Sequence, residues 1–119
     1  MNDEISPHTV DQHFTGCAPA VRAIYVRLLE AARELGPVRE EPKKTSIHLA
    51  RRTAFAGVAT RKQALLLTLK SATDLQSARI ARREQASAHR WHLEIRLDDP
   101  AQVDGELAKW LADAFELAG

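Results

Sequence analysis

His48, His92 and Glu94 are the residues whose types could hold a metal or move a proton. Two imidazoles and a carboxylate can ligate zinc or iron, or do acid/base work, wherever the backbone brings them together. Their spacing does not follow the His-Glu-x-x-His pattern of a helical site, so a shared site depends on strands laying them side by side. His89 makes a poorer pair with His92, because odd spacing on a strand sends the two rings to opposite faces. A second group, Arg51, Arg52, Lys70, Arg79, Arg82, Arg83 and Arg90, could hold an anion. Each guanidinium presents a planar donor fork that matches phosphate or carboxylate, and on nucleic acid such a cluster releases counterions.

Other candidates carry less. Cys17 lies between Gly16 and Ala18 just before a helix, where the macrodipole favours a thiolate, but no base can be assigned to it and a small filler residue is the simpler reading. Ser46 beside Lys44 lacks a helical motif to position the two. The five glycines are scattered singly, so phosphate loops and dinucleotide fingerprints are absent, no cofactor is expected, and the balance leans away from an enzyme.

Charge sharpens the second group. The chain carries a net +1, yet residues 43–96 hold twelve basic and three acidic side chains, while residues 1–42 sum to −3 and residues 97–119 to −5. An uneven distribution of this kind is a clue to an anionic partner, either a small ligand or nucleic acid. The bland reading, a solvated basic face offset by acidic helices, stands beside it. Aromatic side chains all fit core positions, so nothing supports a stacking platform for single strands.

The positioning elements follow from periodicity. In a chain of 119 residues, 45% hydrophobic and 28% charged, one soluble domain is expected, with residues 1–8 a flexible N-terminus and residues 9–119 a single α+β domain. Thr9 and Gln12 have the spacing of a capping box before a short helix from Val10 to Thr15, which Gly16 can end. Pro19 opens a second helix whose stripe is Val21, Ile24, Tyr25, Leu28, Leu29, Ala32 and Leu35, stopped by Gly36 and Pro37. Four period-two segments follow: Ser46 to Ala50, Thr53 to Ala59 with Gly57 as a bulge or close approach, Ala64 to Lys70, and His89 to Leu97. Residues 71–88 read as a loop, with an edge strand or a helical turn near Arg79 to Glu84 as alternatives. A last helix starts near Asp99 and Pro100 and carries Val103, Leu107, Trp110, Leu111, Ala114 and Phe115 on one face.

Short connections make the first three strands antiparallel neighbours. The expected fold is therefore two-layered α+β: N-terminal helices, a four-stranded, meander-like antiparallel sheet, and a C-terminal helix packed on one sheet face. If the fourth strand also runs antiparallel to the third, Arg51, Arg52, Lys70 and Arg90 share one end of the sheet, with Arg79, Arg82 and Arg83 in the adjoining loop. His48, His92 and Glu94 fall on the polar face.

The stretch Glu40-Glu41-Pro42-Lys43-Lys44-Thr45-Ser46-Ile47-His48-Leu49, then Arg52-Thr53-Ala54-Phe55-Ala56-Gly57-Val58, resembles a bacterial family of small α+β domains, domain of unknown function 5655. His8 to Phe14, Arg90-Trp91-His92-Leu93 and the Trp110-Leu111 helix extend the resemblance over nearly the whole chain. It implies a fold and no catalytic set. The expected function is thus a noncatalytic binding module taking an anionic ligand or nucleic acid at the basic end, the alternative being a metal-binding protein or small enzyme built on His48, His92 and Glu94. With a lone cysteine, no secretory leader and no membrane-length apolar run, a cytoplasmic monomer or homodimer is expected.

Overall fold

A computed structural model describes residues 8–119; residues 1–7, most of the N-terminus expected to be flexible, lie outside the described residues. A 3₁₀ turn at Asp11–Phe14 comes first, closed as a capping box by Thr9 N–H donating to Gln12 Oε1 (3.0 Å) and Gln12 N–H to Thr9 Oγ1 (3.2 Å). Gly16, at φ 79°, turns the chain into helix α1, Pro19–Arg33. Its stripe buries Val21, Ile24, Tyr25, Leu28 and Ala32, but Leu35 lies beyond the helix and is exposed.

The sheet has six strands rather than the expected four: β1 Arg39–Pro42, β2 Ile47–Ala50, β3 Ala54–Thr60, β4 Leu65–Ser71, β5 Ile80–Ser87 and β6 Arg90–Leu97. They lie in the order β1-β2-β3-β4-β6-β5, with every neighbouring pair antiparallel. The meander therefore breaks after β4. The chain crosses back through residues 72–79, forms β5 at the margin, and returns in a tight hairpin as β6 between β4 and β5. Of the two alternatives for the 71–88 segment, the edge strand is the one that forms.

Both additional strands lack an apolar alternation. β1 is held from outside its own sequence: the Tyr25 hydroxyl donates to Glu40 Oε2 at 2.6 Å, Arg33 lies 3.5 Å from Glu40 Oε1, and Arg39 donates to the Arg51 carbonyl. Burial, then the Glu40 carboxylate, pushes the Tyr25 hydroxyl pKa far up, so this phenol stays a donor. β5 buries only Ile80, and its ladder slips at Ala81 and at Ala86.

One face of the sheet is covered. Leu65, Leu67 and Leu69 on β4 lie opposite Leu97, Ile95 and Leu93 on β6, and all six are buried. They join Ile47, Leu49, Phe55 and Val58 beneath α1 and helix α2, Gly105–Leu117. The C-terminal helix starts later than its sequence suggests. Asp99 caps only a 3₁₀ turn, Pro100–Gln102, after which Asp104 caps α2 through the Leu107 N–H at 3.0 Å. No helix of the described residues is long and apolar enough to cross a membrane.

Leu67 is fully buried on a central strand. Leu67→Ala is expected to lower unfolding stability by about 3 kcal/mol in a urea titration.

Candidate functional site

Alternation along the strands leaves a second face, opposite the helices. The register aligns His48, Gly57, Thr68, Glu94 and Arg82 in one row across β2, β3, β4, β6 and β5. In the next row Lys70 stands opposite His92, and His92 opposite Glu84. Along β3 this face carries only Gly57 and alanines, between longer side chains on β2 and β4. The outcome is a depression of about 290 Å³, floored by Gly57 and bordered by Ser46, His48, Thr68, Lys70 and His92. Among the described residues no carboxylate lines it.

Gly57, read in the sequence as a bulge or a close approach, is not the bulged residue. Leu49 pairs with Ala56 and Ala50 with Ala54, so Phe55 is the extra residue; it turns into the core, where its ring meets Phe115 edge-on at 5.3 Å. What the sequence does not reveal is that Gly57 forms a floor, with Thr68 and Ser46 beside it. The available signal is a lone glycine on the polar side of an alanine-rich strand.

Four of the seven cations proposed as an anion site share one end of the sheet: Arg51 and Arg52 in the β2–β3 turn, Lys70 near the end of β4, and Arg90 at the start of β6. Arg51 is committed to the fold, donating to the Phe115 carbonyl at 3.1 Å and stacking 4.3 Å over the Phe115 ring, where it satisfies the C-terminal end of α2. Arg52, exposed, contributes its backbone N–H to the Ala118 carbonyl, 3.2 Å away. Among the described residues Lys70, half-buried, has no carboxylate partner, and the Arg90 guanidinium bonds the neighbouring His89 carbonyl.

The other three lie away from that end. Arg79 closes the crossover onto α2: its guanidinium meets Asp104 at 2.9 Å, Glu106 at 3.1 Å and the Gln102 carbonyl at 2.6 Å, 5.8 Å over the Trp110 ring. Burial alone would lower the Arg79 pKa, but the hydrogen bonds to Asp104 and Glu106 carry it above its ordinary value. The Asp104 carboxyl is held below its ordinary value, first by the Leu107 N–H and then by Arg79. Arg83 bonds Asp74 at 2.7 Å and the Leu75 carbonyl, fastening the middle of the crossover. Arg82 stands on the uncovered face at the β5 margin, opposite Glu94.

His48, His92 and Glu94 share that face, and His48 and His92 border the same depression from opposite sides, with Glu94 outside its lining. His48 is on β2 and the other two on β6, with β3 and β4 between, about 14 Å at ordinary strand spacing. His92 instead leans toward Glu84, Nδ1 to Oε1 3.9 Å. Among the described residues no three of His, Cys, Asp and Glu are placed to hold a metal. Cys17 is half-buried, its thiol 3.6 Å from the His13 carbonyl.

The family model described as "Domain of unknown function (DUF5655)" matches residues 10–118 of the chain. No curated protein and no solved structure matches it.

Two substitutions test this geometry. A Cβ built on Gly57 meets His48 Cδ2 at 3.9 Å and Thr68 Cβ at 4.0 Å, ordinary contacts. Gly57→Ala is therefore expected to fold with stability within about 0.5 kcal/mol of the parent in urea. Asp104→Asn keeps a capping oxygen but removes the charge facing Arg79. A depressed folded pKa stabilises above the unfolded value of about 3.9 and stops doing so as pH falls through the folded value. The stability gap between parent and Asp104→Asn, measured in urea from pH 7 down to pH 2.5, is expected to narrow below about pH 4.

Proposed function

The chain belongs to the DUF5655 family, whose description assigns no activity, and from that premise we propose that it is a binding module for an anionic ligand. The ligand sits in the depression on the uncovered sheet face, against the basic end of the sheet. The observation that carries this reading is that Lys70, His48 and His92 border a concave site to which, among the described residues, no carboxylate contributes and in which Lys70 has no ion-pair partner. A half-buried ammonium without a counter-charge attracts an anion more strongly than a solvated one, because less water competes for it. Arg52 and Arg90 extend the positive end beyond the depression and guide an anion toward it. Arg51, Arg79 and Arg83 serve the fold instead. A reducing, cytoplasmic setting suits the single cysteine.

Titration of ¹⁵N-labelled protein with inorganic pyrophosphate, a short oligothymidylate and 2-naphthoate tests the reading. At least one is expected to shift the Gly57, Thr68 and Lys70 amides, with affinity reduced about tenfold in Lys70→Gln and weakened by raising salt from 50 to 500 mM. Silence at those amides for all three anions overturns it.

A further inference from the structure

We infer that the ligand of this depression is a small, flat carboxylate with an apolar body, rather than a polyphosphate or a nucleic acid; this rests on the anion-binding reading above. Size sets the first limit. About 290 Å³ lies at the lower edge of the range for small-molecule sites, roughly 300–1,000 Å³, and holds one compact organic molecule. Shape sets the second. Strands β2 and β4 flank β3 at about 5 Å each, so with no side chain above Gly57 the floor is a narrow trench whose base is the peptide plane itself. A planar ring can stand edge-down over that base, its two faces against the His48 ring and Thr68.

Charge placement sets the third. Lys70 and His92 are direct cross-strand partners, so the ammonium and one imidazole stand together at one side, across β3 from Ser46 and His48, and the rest of the lining is mostly apolar. One anionic head and one apolar body match that division. A phosphate is poorly served there: the amides of β3 and β4 are spent in the ladder, and neither helix lies on this face to aim free N–H groups at three or more oxygens.

Nucleic acid is disfavoured by two features of the same face. Its track would have to pass Glu84 and Glu94, beyond His92, where the negative backbone meets negative side chains. It would also find no stacking platform, since Phe55, Trp110 and Phe115 are buried beneath the opposite face and Trp91 packs against that core.

The three anions above, with 2-naphthalenemethanol as the uncharged counterpart of 2-naphthoate, decide the matter by calorimetry and amide shifts. The expected result is that 2-naphthoate binds at Gly57, Thr68 and Lys70, that the alcohol binds at least tenfold more weakly, and that Gly57→Ala weakens 2-naphthoate at least tenfold while keeping its stability. If pyrophosphate or oligothymidylate shifts those amides and 2-naphthoate does not, the ligand class proposed here is wrong and the broader anion reading survives. If 2-naphthoate binds Gly57→Ala as well as the parent, or shifts residues around Leu75 and Leu117 instead, the placement is wrong. If no anion binds, both readings fall together.

Discussion

The pairing of β4 with β6 is the contact on which the rest of the molecule depends. Six buried aliphatic side chains, Leu65, Leu67 and Leu69 against Leu97, Ile95 and Leu93, meet in register at this junction. Because β6 occupies the place beside β4, the intervening strand is displaced to the margin and residues 72–79 must return across the molecule to begin it. A return of that length without a helix has little apolar surface of its own, with Leu75 only partly buried against the core. It is fastened by charge instead, Arg83 to Asp74 in its middle and Arg79 to Asp104 and Glu106 at its end. The same junction sets Lys70 opposite His92 on the other face.

Covering only one face sorts the charges. The acids of α2's first turn are engaged by Arg79, so part of the acidic C-terminal segment acts as a structural counter-ion and not as a diffuse balance to the basic middle. On the uncovered face the carboxylates stand to either side of β3 and β4, Glu41 on β1 opposite His48, and, toward β5, Glu94 opposing Arg82 and Glu84 opposing His92. The trench above β3 is left to nitrogen bases and hydroxyls. Small residues on one strand and polar heads on the strands beyond it make the concavity, with Ser46 added from the β1–β2 loop.

Much of this was legible in the amino-acid order, and the illegible parts have definite reasons. Strand β6 alternates Trp91, Leu93, Ile95 and Leu97 with polar residues and announces itself. β1 reads Arg-Glu-Glu-Pro and β5 offers only Ile80 to the core, so period-two reasoning has nothing to detect in either. Antiparallel order gathers Arg51, Arg52, Lys70 and Arg90 at one end, although β4 and β6 are joined through β5 and not by a hairpin. It cannot foresee that Arg51 would cap α2, or that Arg79 and Arg83 would find carboxylates 25 and 9 residues away. For His48, His92 and Glu94, alternation gives the face but not the lateral distance across it, and three strand steps separate what shares a side.

The sheet's two margins also bear on how the chain behaves in a crowded solution. β1 spans four residues and ends in Pro42, while β5 is irregular at both ends and bears Arg82, Arg83 and Glu84 between its slips. Neither margin offers a long, flat, apolar row of free amides and carbonyls, so neither serves as a template on which further chains could stack into fibrils. The sequence thus spends two of its six strands on blunting the ends of the other four.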